Sequence, residues 1–467
     1  MRHPAITPVL ALALIATTGC NVGPKYTRPQ VPAPPAFRGA DEAAVSSDPT
    51  QSIGDRKWSE IFREPELQQY IQQALAANYD LRIAAQRVLE AQSQVKITRA
   101  NQFPTFNAGG SGIGAELPDS LSNTISSPIT AGSLNLSAAW IPDFWGLYRK
   151  QTEAARDQLI AQDWARAAVR MSLVSQVATT YFTLRSLDEQ IAVAQNTLKV
   201  REDSVRLTRA LTDGGRAPLS DLRQAEQLLY GATSAIPTLE QQREQQENAM
   251  RLLLGQTPGT VTHTDPTALA PVPQDLPVGV PSQLLERRPD IQQAEARLKA
   301  ANANVGVAKA QFFPQLSISF SAGLGGDSFS NLFDPSGRTI YGIGSLAQPI
   351  FAGGKLSGQY ALSKQQKEEM VLTYQQTILG AFRDVSNALI AVNKQRGVRE
   401  EQQKLVAAAQ DSTRLARVRY QAGAATYLEV LINDSSLFNA QLNLISAQQG
   451  EAVSLVQLYQ ALGGGWQ

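Results

Sequence analysis

Apolar residues between Leu285 and Pro314 follow the spacing of a helix that packs along a narrow seam. They recur at intervals of three and four residues, as in a coiled coil, and the alanines among them permit close helix approach. Pro314 ends this helix, because proline lacks a backbone donor and disfavours helical geometry in the residue before it. The seam positions are Ile291, Ala294, Leu298, Ala301, Val305 and Ala308.

The segment after Pro314 changes to a period of two. Apolar residues from Leu316 to Leu324 alternate with serine and glycine, which predicts a strand with one apolar and one polar face. The sequence therefore predicts a long helix that leads directly into a short amphipathic strand.

The same pattern occurs earlier in the chain. Asp80 and Pro104 lie 210 positions before Asp290 and Pro314. Further along, the offset becomes 208, as between glycines 215 and 423. Self-similarity over such a distance indicates a duplicated unit, since a solenoid has a much shorter period. The earlier seam positions are Leu81, Ala84, Val88, Ala91, Val95 and Thr98.

Each unit is predicted to contain a helix, a strand, a loop, a second strand, a very long helix, a tight turn and a returning helix. The strands are expected at about 105–117, 133–144, 315–325 and 339–351, and the turns near 213–218 and 421–426. We predict a signal peptide over 1–19, a lipid-anchored tether over 20–57, a first repeat over 58–256, a Pro-rich connector over 257–281 and a second repeat over 282–467.

The long helices are predicted from an absence of proline. None occurs between Pro142 and Pro218, or after Pro349. A helix of about 68 residues is roughly 100 Å long at 1.5 Å per residue. Helices of that length are expected to pack side by side in a rod or tube. Pro237 predicts a kink in the first returning helix.

Four strands of about ten residues with one apolar face have the length and pattern of transmembrane β-strands. A four-stranded sheet cannot sit in lipid, because its edges leave backbone donors and acceptors unpaired. Several chains must therefore close a barrel. Two chains give eight strands, which side chains normally fill, whereas three give twelve and leave a passage.

Aromatic residues cluster where the predicted strands meet the helices. This position favours a girdle at a membrane interface; the alternative is that they are core aromatics of a soluble sheet. The residues are Phe103, Phe106, Trp140, Phe144, Phe312, Phe313 and Phe351.

The amino-acid composition argues against several classes of function. The formal net charge of +1 argues against a nucleic-acid binder, which needs clustered cations. One cysteine and two histidines exclude a disulfide, a Cys/His nucleophile pair or a cysteine-rich zinc site within one chain. We find no catalytic constellation, metal site or cofactor motif, and expect no enzyme.

Cys20 follows one arginine, an apolar run from Val9 to Ala16 and small residues. This is the pattern of a signal peptide, and the apolar run is too short to span a membrane. A cysteine in this position is where bacterial lipoproteins are cleaved and acylated. The alternative is an ordinary signal peptide cleaved nearby. Asn21 resembles the pattern that permits sorting to the outer membrane.

Over essentially the whole mature chain, the sequence resembles the TolC-like outer-membrane efflux factors, in the lipoprotein branch that serves RND-type tripartite multidrug pumps. The motifs are CNVGPKYTRP at 20–29, Trp58, Phe62, Pro65 and Leu67 ahead of Asn78 and Asp80-Leu81, RRPDI at 287–291, FFP at 312–314, PIFAGG at 349–354 and LGGGW at 462–466.

The resemblance implies a mixed α and β membrane protein. Three chains would form a twelve-stranded outer-membrane barrel continuous with a helical barrel in the periplasm. The hairpin tips, with Gly214, Gly215 and Gly423, would contact a periplasmic adaptor joined to an inner-membrane pump. Asp221 is either a helix cap, which we favour, or an adaptor contact.

In that branch an apolar ring and an acidic ring close the tunnel at the tip. The apolar position corresponds to Leu428. The acidic position falls on Ile432, which departs from the family pattern. Glu429 and Asp434 are the remaining acidic candidates; alternatively, both are solvated charges on a helix face.

The predicted function is a passive trimeric duct for drugs or other small toxic compounds, in contact with outer-membrane lipid. One alternative is the outer-membrane channel of type I protein secretion. Another, from a different class, is a non-conducting coiled-coil lipoprotein that scaffolds the envelope.

Overall fold

The computed structural model describes residues 22–39, 52–116, 129–262, 276–328 and 331–466. The signal peptide, Cys20 and parts of the loop after β1 and of the connector lie outside these residues. The helices are α1 (Trp58–Ile61), α2 (Pro65–Ala77), α3 (Tyr79–Ala100), α4 (Leu147–Asp213), α5 (Leu219–Leu253), α6 (Leu284–Arg287), α7 (Pro289–Ala310), α8 (Lys355–Gln421) and α9 (Tyr427–Ala461). The strands are β1 (Thr105–Ala115), β2 (Ile129–Trp140), β3 (Gln315–Gly326) and β4 (Arg338–Ala347).

The strands form one antiparallel sheet in the order β1-β2-β3-β4. Directly paired residues point to the same face, so the register separates two surfaces. One face carries the cross-strand row Ala108, Leu136, Ala322 and Ile340. The other carries polar residues, including Ser111 and Ser133, whose hydroxyl oxygens lie 2.7 Å apart. The predicted amphipathic character of the sheet is therefore confirmed.

The bounds of β2 and β4 differ most from those predicted. β2 begins at Ile129, four residues before the expected start, and ends at Trp140, before the expected 144. β4 ends at Ala347, before the expected 351. Pro142 and Pro349 explain the early ends, because proline cannot donate to a strand ladder. The predicted extension to 144 and 351 is wrong.

The sheet has two open edges in this chain. Among the described residues, β1 pairs only with β2, and β4 pairs only with β3. All eleven residues of β1 and all ten of β4 are exposed. The outer backbone groups of both strands are thus available to another chain.

The two helical hairpins have matching lengths and turns. α4 and α8 each contain 67 residues, and α5 and α9 each contain 35. Gly215 and Gly423 have φ values of +67° and +73°. The next amide donates back to the helix in each turn, from Arg216 to Leu211 O and from Ala424 to Arg419 O, both at 2.8 Å. This is the Schellman arrangement, in which glycine avoids the left-handed steric penalty.

The aspartates at the starts of α3 and α7 lie inside these helices and not at the N-cap. Asp80 and Asp290 both occupy the first turn. Asn78 caps α3, because its side-chain oxygen accepts from the Leu81 amide at 3.1 Å. Asp290 instead binds the Arg288 guanidinium at 2.7 Å.

Among the described residues, 22–30, 87–116, 129–162, 293–328 and 331–375 form one compact unit, and the remaining ones form a second. In the second unit, α1 and α2 pack against α4, α5 and α9 around a buried apolar core. Phe62 meets Tyr459 edge-on, with ring centroids 5.7 Å apart. The Tyr459 hydroxyl donates to Arg56 O at 2.7 Å, which ties the end of α9 to the start of the first repeat.

In the first unit, the segment from Val22 to Gln30 packs against α7. A Cβ on Gly23 would lie 2.9 Å from Gly306 Cα. Asn302 Nδ2 donates to Pro24 O at 3.0 Å, and Arg28 pairs with Glu295 at 3.1 Å. This part of the predicted tether therefore packs on α7, because two glycines permit close backbone approach and Glu295 supplies a buried anion.

Asp157 is half-buried on α4. Burial, with the nearby charge of Glu153, raises the pKa of its carboxyl from 3.8 to about 6. Because the folded pKa exceeds the unfolded one, this group binds protons more tightly in the folded state. Its ionisation therefore removes stability as the pH rises from about 4 through about 6.

We expect Asp157→Asn to raise the thermal unfolding midpoint at pH 7.5 relative to wild type and to have little effect near pH 4. The control is Asp163→Asn, whose side chain is 60% exposed on the same helix. Equal pH profiles for both variants would contradict the assignment.

Candidate functional site

The ends of the two hairpins share a small apolar core. Val205 on α4, Leu222 and Ala225 on α5, and Ala416 on α8 pack with residues of α9. Tyr427 belongs to this cluster, and the ring of Tyr420 packs against it with the two ring centroids 5.0 Å apart. Here, the four helices are held as one packed body.

Leu428 and Ile432 lie on the opposite side of α9 from this core. They are one helical turn apart, so they share a face, and are 42% and 57% exposed. Val430 and Leu431 are buried in the core. An exposed apolar pair next to buried apolar neighbours marks a surface available for contact.

The two acidic candidates are ion-paired. Glu429 binds the Arg419 guanidinium. Asp434, with its side chain 13% exposed, pairs with Arg201 at 3.3 Å and Arg417 at 3.4 Å. The alternative that both are merely solvated charges is therefore wrong for Asp434.

Arg201 connects three helices in the second unit. It is 4% exposed, and it donates from α4 to Leu228 O on α5 at 2.7 Å. Its guanidinium also lies 5.0 Å from the centre of the Phe438 ring on α9, beside its ion pair with Asp434. A buried arginine needs such partners, since an unpaired buried charge is costly.

The sequence reasoning did not single out Arg201, although a signal was present. Ala194, Leu198, Val205 and Thr208 follow the three–four seam spacing on α4, and Arg201 occupies a position within it. A charged residue at a seam position predicts a specific buried partner.

The predicted tip residues lie in the two turns or directly after them. Gly214 and Gly215 follow α4, and Gly423 follows α8. Asp221 is not the cap that the sequence favoured, because α5 begins at Leu219 and Pro218 occupies the cap position. Asp221 lies inside the first turn, where a negative charge suits the helix dipole.

The predicted girdle residues meet at one end of the sheet. The strand register brings together the start of β1, the end of β2, the start of β3 and the end of β4. Trp140 Nε1 donates to Gln102 O at 3.1 Å, and Phe312 meets Tyr360 edge-on at 6.0 Å. Phe106 and Phe351 are 72% and 91% exposed. Phe103, Phe144 and Phe313 lie in the short segments that join helix and strand.

Trp145 fixes the first strand–helix junction to the second. Its ring stacks on Phe313 with centroids 4.9 Å apart, and its Nε1 donates to Pro314 O at 2.7 Å. The backbone of Val22 donates to Trp145 O at 3.4 Å. Val22 therefore lies beside the aromatic end of the sheet.

The described helices include none that is both long enough and apolar enough to cross a bilayer. The family model for outer membrane efflux proteins matches twice, over residues 70–256 and 280–464. The chain belongs to the outer membrane efflux protein family. The two matches agree with the repeat seen in sequence and in the paired hairpins.

Relatives of this family resemble the chain over nearly its whole length. The antibiotic efflux pump outer membrane protein ArpC of Pseudomonas putida is 36% identical, over 98% of this chain and 95% of its own. The cation efflux system protein CusC of Escherichia coli O6:H1 is 34% identical, over 97% of each. The open-state structure of the Neisseria gonorrhoeae MtrE outer membrane channel has a TM-score of 0.85 at 30% identity, covering 96% of this chain and 99% of MtrE. This chain is an efflux channel of the Gram-negative outer membrane.

We expect Arg201→Ala to loosen the hairpin tips, because it leaves Asp434 buried with a weaker partner. Removing one member of a buried pair costs about 3–5 kcal/mol. Amide hydrogen exchange in α5 and α9 near the tips should therefore accelerate.

The control is Arg206→Ala on the same helix, where the arginine side chain is 77% exposed and its ion pair contributes under about 1 kcal/mol. Equal exchange rates in the two variants would show that Arg201 does not hold these helices together.

Proposed function

We propose that three copies of this chain form the exit duct of a tripartite efflux pump. The observation that carries this proposal is the sheet with two open edges and opposite apolar and polar faces. Closure with other copies satisfies the edges, places apolar residues against lipid and lines the passage with serine, asparagine and threonine. Three copies of four strands give the twelve-stranded barrel that leaves a passage.

The tip geometry supports an apolar constriction. Leu428 and Ile432 are exposed on one side of α9 in the single chain, and a threefold axis beside α9 would bring their copies together. Arginines neutralise Glu429 and Asp434, so neither carboxylate is available as a free acidic ring. Ile432, which occupies the acidic position of the family pattern, then extends the apolar ring of Leu428 by one helical turn.

The hairpin turns at Gly214, Gly215 and Gly423 are the proposed docking points for a periplasmic adaptor, with Asp221 beside the first. The adaptor joins the duct to an inner-membrane RND-type pump, which supplies the energy. The open state of MtrE supports a channel that changes between closed and open forms. Docking would then separate the tips.

Substrate choice is proposed to lie with the pump rather than with this chain. ArpC and CusC are almost equally similar to it, at 36% and 34% identity, yet one is named for antibiotics and the other for cations. We propose that this duct passes small toxic compounds without a dedicated binding site or catalytic step.

Cys20 is proposed to carry the lipid anchor. Only Asn21 lies between it and Val22, so the Cα atoms of Cys20 and Val22 are at most about 7 Å apart. Val22 is held beside Trp145 at the aromatic end of the sheet. An acyl chain on Cys20 would consequently begin at the level where the proposed barrel enters lipid.

We expect Leu428→Ala to raise the leak conductance of the purified trimer in planar bilayers, because it widens the proposed constriction. The matched control is Leu415→Ala on α8, where the side chain is 45% exposed against 42% for Leu428. Conductance that stays at the wild-type level in Leu428→Ala would place the constriction elsewhere. A wild-type trimer that never conducts would instead favour an envelope scaffold.

Cys20→Ala is expected to abolish labelling by radioactive palmitate, since no other cysteine is present. Asn21→Asp should keep the label, because it leaves the acylated residue intact. Label that persists in Cys20→Ala would refute the anchor.

A further inference from the structure

The apolar face of the sheet contains a groove of about 460 Å³. Its centre is the row of Ala108, Leu136, Ala322 and Ile340, which lie opposite one another across the four strands. The alanines leave a depression between the larger side chains. A flexible alkyl chain makes more contacts in such a depression than on a flat surface.

One cation lies at the end of this groove. Arg338 is the first residue of β4 and pairs in register with Leu324, which in turn neighbours Leu134. Arg338 therefore points to the apolar face, one row beyond Ile340. Along a strand, two residues span about 7 Å.

Arg338 has no acidic partner in the described part of the chain. It is exposed, and the ion pairs of the described residues do not include it. Arginine binds phosphate through two parallel hydrogen bonds and is favoured where planar recognition of an anion is needed. A guanidinium at the end of an apolar groove thus matches a ligand with a phosphate and an acyl chain.

We propose that this groove holds one acyl chain of a phosphorylated glycolipid of the outer leaflet, with its phosphate on Arg338. The inference rests on the proposed barrel, which turns this face toward lipid. Arg338 lies at the opposite end of the sheet from the aromatic residues and the helices, which places it at the outer leaflet. An arginine there costs little, because lipid-facing charges are expensive mainly near the bilayer midplane.

The test measures binding of lipid A to the full-length trimer in detergent by native mass spectrometry. The other probes are lipid A without its phosphates and phosphatidylethanolamine. We expect wild type to prefer phosphorylated lipid A. Arg338→Ala should weaken that binding by about tenfold, as expected for loss of a charge-assisted hydrogen-bonding group. Arg338→Lys should retain part of it.

A second pair of variants tests the groove itself. Ala322→Leu fills the depression and should also weaken lipid A binding. Ser319→Leu adds an apolar side chain to the other face of the same strand, which pairs in register with Ile343, and should leave binding unchanged.

Three results would overturn the lipid site: equal binding of phosphatidylethanolamine and lipid A, unchanged binding in Arg338→Ala, or equal binding in Ala322→Leu and Ser319→Leu. Conductance of wild type is recorded in parallel. A wild type that does not conduct contradicts the exit duct, whereas a conducting wild type that shows any of the three results contradicts only the lipid site.

Discussion

The hydrogen bonds missing at the outer edges of β1 and β4 are the constraint on which the rest of the structure depends. Water can satisfy such groups, but lipid cannot, and each unsatisfied group costs several kcal/mol there. Alternation of apolar and polar residues in these strands is useful only if one face meets lipid and the other meets water. Under the proposed function, the open edges and the two unlike faces are both satisfied when other copies of the chain complete a closed barrel.

The helices meet the same requirement in a different way. The backbone hydrogen bonds of α4 and α8 are made within each helix. Only the side chains of these helices therefore need partners elsewhere. Near the tips, a buried arginine at position 201 and a shared apolar core join four helices, while Leu428 and Ile432 remain exposed. A tip that buries the Arg201–Asp434 ion pair within one chain and exposes an apolar pair is suited to apolar contact between copies.

Much of this fold follows from local patterns. The seam spacing, the proline positions and the Gly turns determine where helices, strands and hairpins occur, because these features act over a few residues. Contacts between distant segments were harder to anticipate. The packing of Val22–Gln30 on α7 depends on two glycines 283 positions apart, at 23 and 306. The partners of Arg201 come from two other helices, and Pro218 occupies the cap position that was predicted for Asp221. The early end of β2 was predictable from Pro142, but its early start depends on pairing with β1.

The central claim is that other copies of this chain satisfy the sheet edges, three in all. The most direct measurement is the native mass of the assembly extracted from the membrane in mild detergent. The account predicts a single species with the mass of three chains, which dissociates only when the barrel unfolds. A species of one or two chains that still conducts ions would contradict it.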